Sequence, residues 1–199
     1  MVKIALFGGA FDPIHYGHLA AAMAALSQLH LDQVRFIPCA DPVHKAHCIA
    51  SSEQRAMMIQ LAIRNQPHFI LDPCELERAS PSYAIDTIEN FLDVHGSQKQ
   101  LYWLLGADAL VHFEAWHRWH DIIRLVDLVV VNRPGIGTEA IHAPLLRLAT
   151  LLSEHGHGLH CVLMEPHPHA SSTIRNTLGD DNAVPPLVKR YIDVTGLYR

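Results

Sequence analysis

Short apolar runs alternate with segments of helical periodicity along most of this chain, and that alternation restricts its fold more than any other feature. The first run, Val2–Phe7, is followed by two glycines, as expected for a buried strand that ends at a turn. From His18 onward, Leu19, Met23 and Leu26 recur at helical spacing in an Ala-rich stretch. The chain is therefore predicted to open with a strand, a glycine turn and a helix.

The same order of elements repeats downstream. Further strands are predicted at Val34–Pro38, His68–Leu71, Leu101–Leu105, Leu128–Val131 and Cys161–Met164. A helix is expected to begin at Ser51, because Gln54 can return a capping hydrogen bond to it. Another helix follows Ser82 and should stop at Gly96.

Strands that alternate with helices of about ten to fifteen residues predict right-handed crossovers and a mainly parallel sheet. We therefore expect a doubly wound α/β fold with helices on both faces of the sheet. Ligands of such sheets bind beyond the carboxyl ends of the strands, so the loops after Phe7, Pro38, Leu105 and Met164 should converge. At 199 residues, 49% of them hydrophobic, the chain is expected to form one domain over residues 1–199.

The composition argues against several classes of partner. With 15 Lys and Arg against 20 Asp and Glu, the chain has no general attraction for nucleic acid or for an anionic membrane. No apolar run approaches the roughly 20 residues of a membrane helix. The four cysteines form no C-x-x-C pair, which fits free thiols in a cytosol. We expect a cytoplasmic protein whose partners are small molecules, with a monomer and a homo-oligomer both open.

The 16 histidines are an unusual number for this chain. Two groups could supply metal ligands, namely His155, His157, His160 and Cys161, or His167 with His169. Both groups lie in Gly-rich or Pro-rich stretches without a recognised zinc spacing. We therefore expect surface-loop histidines there, and no metal held by protein side chains.

The segment between the first strand and the first helix has the features of an anion site. Gly8 and Gly9 let the backbone approach a phosphate closely and present its N–H groups. His15 and His18 stand three residues apart at the mouth of the helix, which places both side chains on one face. Gly17, between them, leaves room for a nucleotide or a tight turn. Either histidine alone could instead be a helix cap or a satisfied polar contact.

A second candidate phosphate site lies late in the chain. Ser171, Ser172 and Thr173 are typical of a helix N-terminus, whose N–H groups and hydroxyls can bind phosphate. Arg175 would project from the first turn of that helix. A simple N-cap is the alternative interpretation of the same residues.

The stretch Gly8–His18, GGAFDPIHYGH, resembles the signature of the HIGH-type nucleotidyltransferases, in the branch of the bacterial nicotinate-nucleotide adenylyltransferases. The similarity extends nearly end to end. It also covers Pro42–Lys45, Ser82–Thr87, Gly106–Asp108, Trp116 with Trp119, Arg133–Gly135 and Ser171–Arg175.

This resemblance implies a Rossmann-like nucleotidyltransferase fold and a specific reaction. A phosphate oxygen of nicotinate mononucleotide would attack the α-phosphorus of ATP, giving deamido-NAD and pyrophosphate without a covalent enzyme intermediate. Backbone donors, imidazoles, Lys and Arg suit the alignment of two polyanions. Mg²⁺ is expected on the substrate phosphates, because it prefers phosphate oxygens and retained waters.

The resemblance assigns roles to residues on the ATP side. His15 and His18 match the phosphate-contacting histidines of the family, and Lys45 and Arg175 match positions that hold the ATP phosphates. These four are the predicted catalytic residues. The predicted ATP site adds Gly8, Gly9, Ala10, Phe11, Gly106, Asp108, Ser171, Ser172 and Thr173. Lys45 could instead be a solvated loop cation, and Asp108 could instead cap the next helix.

On the mononucleotide side, the resemblance assigns substrate binding to Tyr83, Ala84, Thr87, Trp116 and Arg133. Trp116 resembles the aromatic residue on which the nicotinate ring stacks. Trp119 could merely pack beside it, since Trp is often part of the core. Arg78, just upstream, could favour a substrate carboxylate or phosphate.

Three positions depart from the family pattern. Ala10 stands where Thr or Ser is usual, Ala84 where Thr is common, and Val43 where a second Pro is frequent. The change at Ala10 removes one hydroxyl that could contact ATP. The change at Ala84 bears on recognition of the nicotinate carboxylate.

Three other functions remain open at this point. Phosphopantetheine as acceptor is disfavoured by the length of the chain and by the tryptophan-bearing segment after Gly106. Nicotinamide mononucleotide differs from nicotinate mononucleotide only by an amide in place of a carboxylate, a difference that a few hydrogen bonds decide. A noncatalytic nucleotide sensor is disfavoured by the intact His15, His18, Lys45 and Arg175.

Overall fold

The computed structural model describes residues 2–40, 48–78, 81–96, 100–132, 138–164, 171–176 and 183–199. The strands are β1 (Lys3–Gly9), β2 (Gln33–Pro38), β3 (Phe69–Leu71), β4 (Gln100–Gly106), β5 (Asp127–Asn132) and β6 (Leu159–Leu163). The helices are α1 (Tyr16–Gln28), α2 (Ser52–Ile63), α3 (Ala84–His95), α4 (Ala107–Leu110), α5 (Trp119–Ile122), α6 (Thr138–Glu154), α7 (Ser171–Asn176) and α8 (Pro186–Thr195). A 3₁₀ turn spans Phe113–Ala115.

The strands form one parallel sheet in the order β3-β2-β1-β4-β5-β6. The chain winds outward from β1 through β2 to β3, and then returns to place β4 on the other side of β1. The strand order therefore reverses between β1 and β4, and the carboxyl ends of these two strands border the crevice where ligands of such sheets bind.

Helices cover both faces of the sheet, as predicted. Along β1, Ala5 and Phe7 point into an apolar cluster that includes residues of α1, α2 and α8. The alternate residues Ile4 and Leu6 point into a second cluster, with residues of α3, α4, α5 and α6. This alternation within a strand buried on both faces confirms the doubly wound α/β fold.

Local signals placed several helix ends correctly. Ser51 precedes α2 and forms the predicted capping box, in which its Oγ accepts from the Gln54 N–H at 3.3 Å and its own N–H donates to Oε1 of Gln54 at 2.9 Å. Helix α3 ends at Gly96, whose φ of 74° lies in the left-handed region that glycine tolerates. Helix α8, which the sequence analysis did not predict, ends at Gly196 in the same way, with φ of 69°.

The two glycines after the first apolar run are not a turn, which corrects the prediction. Gly8 and Gly9 are the last residues of β1 and pair with Ile37 and Pro38 of β2. A Cβ atom on Gly8 would lie only 2.9 Å from the ring of Trp103 in the neighbouring strand β4. Glycine is therefore needed there for close packing inside the sheet.

Within the described residues, no helix has both the length and the apolar character that a membrane span requires.

Candidate active site

The turn after β1 is made by Phe11 and not by a glycine. Its φ of 50° is left-handed, a conformation that costs a non-glycine residue about 1–2 kcal/mol. The Phe11 ring is buried, with its centroid 5.4 Å from that of Phe7, 5.0 Å from that of His18 and 5.8 Å from that of Phe36. This packing holds the left-handed turn and places the Phe11 ring against Gly9, where a Cβ atom would lie 3.1 Å from it.

His15 and His18 form a capping box at the start of α1. His15 is the N-cap residue, and its Nδ1 accepts from the Gly17 N–H at 3.1 Å. Nδ1 of His18 accepts from the His15 N–H at 3.3 Å. The two ring centroids lie 3.8 Å apart, and His15 is 1% exposed. The spacing of three residues therefore brings both imidazoles together, as predicted.

These contacts determine which ring nitrogen carries the proton in each neutral imidazole. A nitrogen that accepts an N–H bond has no hydrogen of its own, so the hydrogen lies on Nε2. Both Nε2 atoms are then donors, at the end of α1 where the helix dipole favours anions. Capping by His15 and His18, one of the alternatives from the sequence, is therefore compatible with phosphate binding.

Asp12 connects the turn to two distant segments. Its side chain is 4% exposed and accepts from the N–H groups of Ile49 at 2.8 Å and Ala50 at 3.1 Å. Its Oδ1 also accepts from the hydroxyl of Tyr198 at 2.6 Å. Because these bonds satisfy a buried carboxylate, Asp12 is a structural centre of the loop.

Helix α7 docks on the same loop. Nη1 of Arg175 donates to the main-chain oxygen of Asp12 at 2.7 Å, and Oγ of Ser171 donates to the main-chain oxygen of Pro13 at 3.1 Å. Ser172 and Thr173 are exposed on the first turn of α7. The structure thus brings the late candidate segment onto the stretch Gly8–His18, far from it in sequence.

Arg55, which the sequence analysis missed, joins the loops after β1 and β2. It is 1% exposed, and it donates through Nη1 to the oxygen of Ala10 at 2.8 Å and through Nη2 to the oxygen of Cys39 at 2.7 Å. Further bonds reach the oxygens of Ala40 at 3.2 Å and Ala50 at 3.3 Å. Carbonyl dipoles therefore solvate this buried cation, which holds both loops in place. The signal available in the sequence was its spacing from the core residues Met58 and Ile59 of α2.

The end of β4 carries the next predicted ATP contacts. Gly106 is the N-cap residue of α4 and makes no side-chain cap, and Asp108 is exposed in the first turn. Oδ1 of Asp108 lies where a Cβ atom of residue 106 would project. Gly106 thus allows the carboxylate to fold back over the end of the strand.

The aromatic residues predicted for the mononucleotide lie in two segments that touch. The Tyr83 ring lies 4.3 Å from the His117 ring, with 33° between their planes. Trp116, next to His117, is partly buried and packs edge-on against Trp103 at 6.3 Å. Trp119 has its ring stacked 3.7 Å from that of His120. Tyr83 and Trp116 are therefore brought to one region, and Trp119 packs beside it.

Thr87 lies beneath this region. It is 1% exposed, and its hydroxyl donates to Oε1 of Glu75 at 2.6 Å and accepts from Nη2 of Arg78 at 3.4 Å. Burial raises the pKa of the Glu75 carboxyl, and hydrogen bonds from Thr87 and Ser82 oppose that rise. The Ser82 hydroxyl also accepts from the Ala40 N–H at 2.9 Å. Thr87, Glu75 and Ser82 therefore anchor the start of α3 to the loop after β2.

Several predicted residues have no described position. Lys45 and the Pro42–His44 stretch, Arg133, and the pair His167 and His169 lie outside the described residues. Their roles stay predictions from the sequence. The loop after Met164 also lies outside the described residues. Of the predicted convergence, the structure therefore shows that the loops after β1 and β2 come together and that α7 joins them.

Two histidines outside the motif contact a buried carboxylate, so they are not simple surface-loop residues. Asp127, the first residue of β5, accepts hydrogen bonds from Gln100, His157, Gly158 and His160. Burial opposes ionisation of Asp127, but these bonds together hold its pKa well below the usual range. Nε2 of His157 also contacts the oxygen of Arg124 at 3.1 Å. This cluster lies at the amino ends of the strands, opposite the site.

Among the described residues, no three His, Cys, Asp or Glu are placed to share a metal ion.

Comparisons with known proteins identify the family and the fold of the chain. Residues 6–176 match the cytidylyltransferase-like family. The probable nicotinate-nucleotide adenylyltransferase of Bordetella petrii is 42% identical over 100% of both chains, and that of Serratia proteamaculans is 36% identical over 98% of this chain and 94% of the other. The fold is also that of the Plasmodium falciparum nicotinic acid mononucleotide adenylyltransferase complexed with NaAD. That structure matches with a TM-score of 0.76 and 18% identity, covering 100% of this chain and 98% of the other.

Proposed function

The chain belongs to the nicotinate-nucleotide adenylyltransferases of the cytidylyltransferase-like family, and on that basis we propose that it transfers the adenylyl group of ATP to nicotinate mononucleotide. The products are deamido-NAD and pyrophosphate, and the reaction is a step of NAD biosynthesis. The partners are accordingly small molecules, ATP and the mononucleotide.

In the proposed mechanism, a phosphate oxygen of the mononucleotide attacks the α-phosphorus of ATP in line, and pyrophosphate leaves. No covalent intermediate with the protein forms. The protein must hold two polyanions in alignment and stabilise the charge that develops on the departing phosphates. These tasks require fixed donors and cations, and no nucleophilic side chain.

The observation that carries this proposal is the capping box of His15 and His18. Because both Nδ1 atoms accept backbone N–H bonds, Nε2 is the donor of each neutral ring, at the positive end of the 13-residue helix α1. Two such donors side by side suit a phosphate group. Arg175, anchored on the main-chain oxygen of Asp12 in the loop between β1 and α1, is proposed to bind the ATP phosphates.

Other residues are proposed to bind ATP because of where they lie in the fold. Gly8 and Gly9 end the central strand β1 and Ala10 follows it, while Gly106 ends the neighbouring strand β4 and Asp108 lies in the first turn of α4. Lys45 is proposed as a second phosphate cation on the resemblance alone. The exposed hydroxyls of Ser172 and Thr173 add donors near Arg175.

The nicotinate ring is proposed to bind where Tyr83 and Trp116 come together. Ala84 is the first residue of α3, and the first N–H groups of a helix have no partner within it. A backbone donor at this helix end can bind the nicotinate carboxylate, so the hydroxyl missing at Ala84 is not required. Arg133 is proposed for the same substrate on the resemblance alone.

ATP is proposed to enter as its Mg²⁺ complex. Asp12, the buried carboxylate of the site, already has both oxygens occupied by hydrogen-bond donors, so it is poorly suited to bind a cation. Mg²⁺ prefers phosphate oxygens and waters. Asp12 therefore gives no support to a metal held by its own carboxylate, and we propose that the substrate phosphates carry the metal.

The test is pyrophosphate release with ATP and Mg²⁺, with nicotinate mononucleotide, nicotinamide mononucleotide or phosphopantetheine as acceptor at matched concentrations. A strong preference for nicotinate mononucleotide is expected. Activity with another acceptor would keep the reaction and change the substrate. A rise in Tm with ATP, without pyrophosphate release from any acceptor, would identify a nucleotide sensor instead.

A further inference from the structure

Tyr198 reaches the candidate site from the end of α8. Its side chain is buried, and its hydroxyl donates to Oδ1 of Asp12 at 2.6 Å, across 186 residues of sequence. Its φ of 63° is left-handed, which is unfavourable for a residue with a Cβ atom. A buried hydrogen bond at a strained position points to a role for this contact in the site.

The surroundings of Asp12 show what that hydroxyl does. The Asp12 carboxylate accepts from Tyr198 and Ala50 on Oδ1 and from Ile49 on Oδ2. Arg175 lies beside it, yet its Nη1 donates to the main-chain oxygen of Asp12 at 2.7 Å and stays 3.9 Å from Oδ2. The carboxylate is thus satisfied mainly by donors other than Arg175.

These donors to Asp12 keep the Arg175 guanidinium from binding the Asp12 carboxylate. A guanidinium binds an ionised carboxylate more strongly than it binds a carbonyl oxygen. Removing the Tyr198 hydroxyl would leave Oδ1 with the Ala50 N–H as its remaining described donor, so the buried carboxylate beside Arg175 would be less well stabilised. The guanidinium would then turn toward the carboxylate and away from a ligand.

We infer that Tyr198 is a positioning residue for ATP, whose hydroxyl satisfies Asp12 and so keeps the Arg175 guanidinium available to the ATP phosphates. The inference rests on the proposed function, from which it takes the contact between Arg175 and ATP. Burial, together with the hydrogen bond to Asp12 and the charge of that carboxylate, raises the pKa of the Tyr198 hydroxyl. The donor hydrogen is therefore retained at every pH at which the enzyme would be assayed.

Tyr198→Phe tests the inference, because it removes the hydroxyl and keeps the ring. Tyr191→Phe is the matched control, since Tyr191 is partly buried on α8 and packs against the same apolar cluster. The KM for ATP is expected to rise about tenfold in Tyr198→Phe, the order expected for one hydrogen bond to a charged group. The KM for nicotinate mononucleotide, and both KM values of Tyr191→Phe, should not change.

A double-mutant cycle with Arg175→Ala shows whether Tyr198 acts through Arg175. We expect Tyr198→Phe to cause no further rise in the KM for ATP once Arg175 is gone. The same rise in both backgrounds would overturn the inference. So would parallel changes in the KM for both substrates with a lower Tm, which would mean that Tyr198 only supports the fold.

Calorimetry measures the ATP affinity of each variant without turnover. Each variant is held at the same interval below its own Tm, and the affinities are compared as the KM values were. Unchanged ATP affinity in Tyr198→Phe contradicts the inference alone. A wild-type protein that binds ATP but releases no pyrophosphate contradicts the proposed function, and the cycle can still be completed on affinities. A wild-type protein that does not bind ATP overturns both.

Discussion

The Nδ1 atom of His18 accepts a hydrogen bond from the backbone N–H of His15 at 3.3 Å, so the imidazole of His18 takes part in capping α1, the helix in whose first turn it lies. The proposed phosphate contact uses the opposite nitrogen, Nε2. Stabilisation of α1 and binding of an anion therefore depend on different atoms of the same ring. Substitutions that mimic one nitrogen at a time can separate the two roles.

His18→Ala removes both roles. We expect kcat to fall by about 100- to 1,000-fold, as when one transition-state donor is lost, and stability to fall by about 1 kcal/mol from the lost cap. His18→Asn keeps an acceptor near the position of Nδ1 but no donor at that of Nε2, so it should recover the stability without the turnover. Steady-state pyrophosphate release and urea unfolding measure the two effects. Near-normal kcat in either variant would remove Nε2 of His18 from the mechanism.

Arg55→Met should destabilise the fold by about 2–4 kcal/mol, because it leaves buried carbonyl oxygens of the loops after β1 and β2 without donors. Arg64→Met is the control at the C-cap of the same helix, where the side chain is exposed, and should change stability by less than about 0.5 kcal/mol. Arg55→Lys should recover little, since an ammonium lacks the planar fork of the guanidinium. Urea unfolding of the three variants gives the comparison. Equal stability of Arg55→Met and Arg64→Met would show that the buried bonds are unimportant.

Trp116→Ala should raise the KM for nicotinate mononucleotide by about tenfold, through loss of ring stacking and of apolar contact. The KM for ATP should not change. Trp119→Ala, three residues further on, removes a ring that packs on His120 and should lower Tm without the same effect on KM. The comparison requires initial rates with each substrate varied in turn. A larger KM effect at Trp119 would move the stacking role to that residue.

Asp127→Asn should reduce stability by about 1–3 kcal/mol at neutral pH, because the cluster of His157, His160 and Gln100 loses a charged acceptor. The pKa of Asp127 is lowered by folding, so its stabilisation is complete above the unfolded value of about 3.9 and is lost as pH falls further. The difference between wild type and variant should therefore shrink as the pH falls below about 4.

Urea unfolding across this pH range tests that expectation, with Asp93→Asn, an exposed carboxylate on α3, as the control. Asp93→Asn should show little effect at any pH. A stability difference for Asp127 that grows as the pH falls below about 4 would contradict the assigned direction of its pKa.

Local patterns were sufficient wherever the cause of a feature lies within a few residues. The capping box of Ser51 and Gln54, the stop at Gly96 and the start of α7 at Ser171 were predicted, because caps depend on neighbouring backbone groups. The pairing of His15 with His18 also followed from helix geometry. The prediction that β1 ends at Phe7 was wrong. The contact that requires glycine at position 8 is with Trp103, on another strand.

The sequence by itself determined the order of the six strands and of helices α1, α2, α3 and α7 along the chain, the doubly wound class of the fold and the motif that led to the family. Tertiary structure alone decided the roles of Arg55, Asp12, Glu75 and Tyr198, whose partners are distant in sequence. Their side chains are polar and buried, so each needs hydrogen bonds that only the folded chain brings within reach. Periodicity reports which face of an element is buried, but it does not report which distant carbonyl or hydroxyl lies there.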